Sequence, residues 1–397
     1  MADISSHGQT EDSPGGVTQM KEIVSTCGRY NGGMSLFIDG VPQPSTYFKI
    51  TETPDTGEFL AAAEIEIPSM ARDGITLCWV PAFLDWMGPG QYDFTDFDKR
   101  IQTVLRLYDA HTPEGCPPAY IGVRLQAAIF HPAWYVDMHR NAAGEPTNLI
   151  DFRTPWGKTD GQSCTAAISP GDAFWDTHAI DCLSAIVAHV RKSSYAHRVF
   201  GWLPCALNSN EWFIRTFIPE ATCDFSEPAQ RAFRTYLERQ GLGSTENPVP
   251  APEICQRSGR GEFLDGAEGR LVEAFSLWLN NRVGDIVLNF AKTVKTLCAD
   301  SPKVVGFFYG YVNELSFFQN LSQSGHLALR RVLDSEDVDF LCSPCQYRYR
   351  RDEGAFTYSM VLGPFADSGA DRNKRVFSEV DHFPLWAHTT NTDFSPR

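Results

Sequence analysis

Short apolar runs of β type alternate with longer amphipathic runs of helical period along most of the chain, the pattern of parallel strands joined by crossover helices. The alternation is regular enough to number. A hairpin is expected at 35–42, turning at Asp39-Gly40. The strands that follow are expected at 45–50, 75–83, 119–130, 199–207, 303–311, 338–344 and 375–380, with helices between them at 57–70, 95–109, 175–192, 226–240, 269–298 and 325–333. Thr95 reads as an N-cap with Asp98 three residues on, and Ser226 as a cap with Glu227 and Pro228 in the first turn. The interval 241–266 is an excursion within one domain, because the alternation resumes after it.

Seven such strands suggest a (β/α)8 TIM-type barrel lacking its eighth strand. Only 18 residues follow Glu379, too few for another helix, strand and their loops. A gap between strands seven and one would expose two parallel edges. The N-terminal segment, a partner subunit or a truncated gene product are the candidate explanations. Residues 1–33 are polar and expected to be a flexible segment, and 34–397 a single barrel domain.

With 397 residues at 43% hydrophobic, the chain can bury a large core. A formal net charge of -15 repels phosphates and anionic lipid, so neither nucleic acid nor a membrane surface is an expected partner. No apolar run reaches the eighteen or so residues that cross a bilayer. The start of the chain lacks the charged head and apolar core of a secretory signal, and a cytoplasmic location is expected. The eleven cysteines lack the dense spacing of a disulfide scaffold. Cys342-Ser343-Pro344-Cys345 has the C-x-x-C form, but without a second such pair or a His pair it reads as structural. The ten histidines form no metal-ligand pattern, so no metal and no cofactor is expected. A homo-oligomer is left open.

In a (β/α)8 barrel, function gathers at the C-terminal strand ends. The second strand brings Trp86 there, the third His131 and Trp134, and the fourth Asn210, Glu211 and Trp212. The fifth brings Asn313 and Glu314, the sixth Tyr347 and Arg348, and the seventh Glu379, Asp381 and His382. Glu211 and Glu379 would face each other across the mouth as a carboxylate pair, the equipment of glycoside hydrolysis. Trp86, Trp134 and Trp212 could each present an aromatic face to a sugar or pack in the core. His131 could line the pocket, although a lone His is more often structural. Asn313-Glu314 repeats the Asn-Glu pair and reads rather as a helix cap.

Asn210-Glu211-Trp212 after strand four, with Glu379 after strand seven, resembles the large clan of retaining (β/α)8 glycoside hydrolases. Within it the chain most resembles the family 42 β-galactosidase-like group. The similarity also takes in the opening Phe37-Ile38-Asp39-Gly40-Val41-Pro42 with Tyr47, and Trp79-Val80-Pro81 leading to Gly90-Gln91-Tyr92-Asp93-Phe94. Asp224-Phe225-Ser226, and the stretch from Val338 through Pro344 to Tyr347, are similar too. The resemblance implies Glu211 as acid/base, Glu379 as nucleophile, Asn210 as the partner of the sugar 2-hydroxyl, and Tyr347 as a residue orienting the nucleophile. Asp381 shares a strand face with Glu379 and competes for its role. The implied activity is double-displacement cleavage of a β-linked glycoside, a galactoside among the candidates, with a carbohydrate as partner. The competing expectation, favoured by the missing strand, is a catalytically weak or inactive carbohydrate-binding relic of the same fold.

Overall fold

The computed structural model describes residues 21–128, 132–159, 167–207, 210–214, 218, 220–243, 245–259, 261–310, 321–344 and 364–379. Its centre is a seven-stranded, all-parallel sheet. In chain order the strands are Phe48–Lys49, Leu77–Ala82, Tyr120–Ala128, Val199–Ala206, Val304–Phe308, Phe340–Pro344 and Arg375–Glu379. Each pairs with its sequence neighbour, so the order in space equals the order in the chain. These are the seven expected strands, trimmed at their ends, in a curled sheet backed by helices. No eighth strand occurs among the described residues.

The helices pack outside the sheet for local reasons. Helix Thr56–Arg72 starts at Asp55, whose carboxylate accepts the Glu58 N–H at 2.8 Å, and it buries Phe59, Ala63, Ile67 and Ala71 on one stripe. Asp172 caps Ala173–Lys192 by accepting from Phe174 and Trp175, and Ser226 caps Glu227–Arg239. The helix Thr95–His111 departs from expectation. Thr95 is its first helical residue, and Asp93 holds that turn by accepting from the Thr95 backbone N–H and hydroxyl. The long helix Gly266–Leu297 packs against strand five, and Pro252–Gly259 shows that the expected excursion carries a helix. A helix at Pro364–Asp371, unread in the sequence, leads into strand seven. No described helix is long and apolar enough to cross a membrane.

Inside the curled sheet, large rings from even-numbered strands interlock over glycines of the odd ones. Trp79 of strand two meets Phe200 of strand four at 4.9 Å and Phe340 of strand six at 5.4 Å. A Cβ on Gly122 of strand three would lie 2.2 Å from the Trp79 ring, and one on Gly306 of strand five 2.3 Å from the Phe340 ring. Alternate strands thus fill one layer, as barrel interiors do.

The N-terminal segment corrects an expectation. The polar stretch reaches only partway, because Ser25–Tyr30 is a strand paired antiparallel with Gly33–Ile38, which turns at Asp39-Gly40 into Val41–Pro42. Both turn residues have positive φ, 48° and 78°, as a two-residue hairpin turn requires. Ile23, Leu36 and Ile38 join the buried interior cluster with Leu77, Trp79 and Phe200. The Ser25 hydroxyl donates to the Phe200 carbonyl and accepts the Val304 N–H, so this segment plugs the N-terminal end of the sheet.

The seam between strands one and seven is bridged by side chains. Tyr47, just before strand one, packs edge-on against Phe377 of strand seven at 4.7 Å, and the Arg375 guanidinium lies over both rings. Arg375 also donates to the Met34 carbonyl, and Arg29 to that of Ala370, tying the hairpin to the same seam.

Candidate active site

Strand four is buried along its whole length and ends at Ala206. The chain then turns through three non-glycine residues in the left-handed region, Leu207, Asn210 and Trp212, with φ of 60°, 64° and 57°. Each such residue costs about 1–3 kcal/mol and persists only where its surroundings over-determine it. Here they do. The Trp212 N–H returns to the Ala206 carbonyl at 2.8 Å, the Trp212 indole N–H donates to the Pro204 carbonyl at 2.8 Å, and the Ile214 N–H donates to Ser324 at 3.0 Å. Glu211 stands half-buried at the centre of this tight loop, at the C-terminal end of the strand.

The same geometry corrects the reading of Trp212 as a sugar platform. It is 1% exposed and packs against Phe290 and Phe307, which leaves no open face for a sugar ring. The left-handed turn at residue 212 folds the ring back under the loop, where it is the post on which Glu211 rests.

Asn210 points into a polar cluster shared with the end of strand one and the middle of strand three. Its amide Nδ2 donates to Glu52, just past strand one, and Glu52 also pairs with Arg124 of strand three at 2.6 Å. Arg124 is 1% exposed and its guanidinium lies over Phe308 of strand five at 4.7 Å. A buried cation without an anionic partner would be costly, and Glu52 supplies the charge. The bond to Glu52 orients the Asn210 amide, whose carbonyl Oδ1 is an acceptor and whose Nδ2 carries a second N–H. Burial pushes the Cys205 thiol on strand four up to about 12; Arg124 opposes the rise, and the Glu52 and Glu211 carboxylates add to it. The Glu211 charge is therefore felt inside the same cluster.

Trp86 and Trp134 sit in an aromatic wall formed by the connections after strands two and three. Trp86 lies 5.5 Å from Trp134 and 5.3 Å from Trp175, with its indole N–H donated to the Gly88 carbonyl. At 9% exposure Trp86 is wall filling. Trp134 is half-buried, and its indole nitrogen is buried without a hydrogen-bond partner among the described residues. Behind the wall, Asp224 accepts from the Asp151 and Ser226 N–H groups and from the Ser169 hydroxyl. Burial holds its carboxyl above the usual range, and these bonds oppose the shift. Asp224 thereby joins the loop after strand three to the loop after strand four.

Glu379 is the last described residue of strand seven, its Cα in register with Pro344 at the end of strand six. Strands four and seven stand three places apart in the sheet; strand seven ends on Glu379, and Glu211 lies in the loop that follows the end of strand four at Ala206. His131, Asn313, Glu314, Tyr347, Arg348, Asp381 and His382 lie outside the described residues. Cys342 is buried on strand six, and Cys345 lies outside the described residues. No group of three or more potential metal ligands occurs among the described residues.

Three residues of this site escaped the sequence reading: Glu52, Arg124 and His326. Arg124 carried a signal, a charge in the apolar run Tyr120-Ile121-Gly122-Val123-Arg124-Leu125. Glu52 and His326 carried none. His326 is fully buried, which holds its pKa down to about 3, so the ring is neutral.

No protein-family model matches the sequence, and no curated protein matches it. Among solved structures, the catalytic domain of β-amylase from Paenibacillus polymyxa superposes with a TM-score of 0.53 at 12% identity, over 84% of this chain and 85% of that one. A β-galactosidase from the psychrophilic Marinomonas ef1 gives a TM-score of 0.42 at 13% identity, over 75% of this chain and 40% of that chain. One from Bacillus circulans sp. alkalophilus gives 0.43 at 12% identity, over 81% and 41%. The chain spans about two fifths of the length of these β-galactosidases. Its structural neighbours are glycoside hydrolases, and it shares the (β/α)8-type fold of the β-amylase catalytic domain.

Proposed function

We propose that the chain is a retaining glycoside hydrolase acting on a β-linked sugar, with Glu211 as proton donor and Glu379 as nucleophile. The observation that carries this reading is the strained, over-tied loop that holds Asn210-Glu211 at the end of strand four, in a sheet whose seventh strand ends on Glu379. In the first step Glu211 would protonate the glycosidic oxygen as Glu379 attacks the anomeric carbon, forming a glycosyl-enzyme. In the second, Glu211 would take a proton from the water that releases the sugar. Asn210, its amide oriented by Glu52, suits a sugar hydroxyl, and the aromatic wall at Trp134 suits a sugar face. The resemblance to family 42 makes a β-galactoside the first substrate to try, and the partner is then a carbohydrate.

The test is incubation with a panel of activated 2-deoxy-2-fluoro glycosides, followed by peptide mass spectrometry. A covalent sugar on the peptide containing Glu379 is expected. A folded sample that neither turns over aryl glycosides nor forms any adduct overturns the reading and leaves the carbohydrate-binding relic. An adduct on Asp381 would move the nucleophile by two residues.

A further inference from the structure

His326 lies in the turn after the connection from strand five, between Gly325 and Leu327, and belongs to no strand-end motif. It is fully buried, with its ring stacked on Tyr309 at 4.6 Å and facing Phe213 at 5.6 Å. Both ring nitrogens are engaged. Nδ1 accepts the Gly310 N–H at 3.2 Å, which places the ring proton on Nε2, and Nε2–H donates to the Glu211 carbonyl at 3.0 Å.

The peptide unit that follows Glu211 is therefore held at both ends. Its carbonyl is held by His326 beyond strand five, and its N–H, on Trp212, by the Ala206 carbonyl of strand four. The clamp is itself braced: the His326 N–H donates to the Ser324 hydroxyl, and the Ser324 carbonyl accepts the Ile214 N–H. A peptide plane gripped on both edges cannot rotate, which fixes the Glu211 Cα and one of the two planes that set the direction of its Cα–Cβ bond.

We propose that His326 is a positioning residue for Glu211. Its neutral imidazole transmits the position of strand five to the proton donor on strand four. The chemical consequence rests on Glu211 being that donor; the clamp itself rests on the bonds above. Proton transfer is sensitive to placement, and a displacement on the order of 1 Å can cost about 10²-fold in rate. Ground-state sugar contacts made by other residues would be little affected. The expected signature is thus a loss in kcat with KM nearly unchanged.

The test uses the full chain and two variants. His326→Phe keeps a buried ring and removes both hydrogen bonds, and it should lower kcat by about 10²-fold with KM within about twofold. His326→Gln keeps a side-chain N–H in reach of the Glu211 carbonyl and should recover most of the loss. Equal kcat in a folded His326→Phe protein, or no recovery in a folded His326→Gln protein, overturns the proposal. Imidazole ¹⁵N shifts of the unmutated protein supply a readout independent of turnover. A neutral Nε2–H tautomer with an exchange-protected proton is expected. An Nδ1–H tautomer, or a rapidly exchanging ring proton, would refute the clamp. If the protein forms no sugar adduct yet shows the protected Nε2–H, the glycosidase reading fails and the clamp stands.

Discussion

The two ends of the barrel are built on opposite principles. At the N-terminal end, Trp79, Phe200 and Phe340 interlock, the hairpin around Leu36 and Ile38 fills what is left, and the buried Lys303 is met by Glu22 and the Ile23 carbonyl. The left-handed non-glycine residues there, Asn31 and Asp39, sit in the turns between the hairpin strands, where such angles are ordinary. At the C-terminal end of strand four, three left-handed residues stand within six positions, a buried guanidinium sits beside a carboxylate, and a neutral histidine spans two strands. Apolar packing tolerates imprecision in any one contact. A polar cluster does not, because each group left unpaired in a dry site costs free energy. The contrast places apolar packing at one end and a strained polar cluster at the other, the ends that barrels of this kind use for stability and for chemistry.

The sharpest test of that division is Glu211→Gln. It keeps shape and removes the titrating proton, so turnover should drop by about 10²–10⁴-fold, while unfolding free energy moves by less than about 0.5 kcal/mol. Denaturant melts alongside kinetics measure both, and a large loss of stability would erase the contrast. The mirror experiment is Phe200→Ala, which should cost about 3–5 kcal/mol in urea unfolding through the cavity it leaves. The kcat of the remaining folded enzyme should stay unchanged. A smaller effect is expected at the seam, where Tyr47→Ala removes the ring that bridges strands one and seven. A loss of about 1–3 kcal/mol, with faster amide exchange in both edge strands, would identify side-chain packing as what closes the sheet.

The most gradual effect is a pH slope of two signs. His326 is held below its ordinary 6.5, at about 3, so the unfolded chain takes up the proton first. Its contribution to stability is complete above pH 6.5 and is lost as pH falls toward 3, by at most about 1.4 kcal/mol per pH unit. Asp224 is held above its ordinary 3.8, so the folded protein binds that proton more tightly, and its contribution is lost as pH rises through the raised value. Comparing His326→Gln with Asp224→Asn by thermal melts across the acid range separates the two. The first should flatten the decline toward low pH, and the second should raise stability at neutral pH relative to acid. Slopes of the same sign for both would mean that burial is not what shifts these groups.

Much of the frame was legible in the residues. The apolar runs ending at Ala206 and Glu379 mark strands because their burial is a property of consecutive residues. Asp39-Gly40 marks a turn because two positive φ angles favour those residue types. Ser226 announces its helix by offering an oxygen to the Ala229 N–H three residues on. The first strand is two residues long, shorter than the expected 45–50, because its pairing with strand two is settled by the sheet edge and not by its own composition. The direction of Trp212 was not legible for a similar reason. Its position after Glu211 is plain in the sequence, but its direction is set by a left-handed turn that aromatic content does not encode.

The sequence by itself determined the alternation of strands and helices, their order, and the placement of Asn210 and Glu211 past strand four. All of these follow from periodicities and capping preferences over a few residues. Only the tertiary structure decided that Glu52 reaches Asn210 across 158 positions, that His326 grips the Glu211 peptide across 115, and that residues 25–42 plug the barrel. Such contacts join groups whose separation in the chain carries no pattern. Their free energy comes from the loss of water around charges and rings that meet only once the sheet has curled.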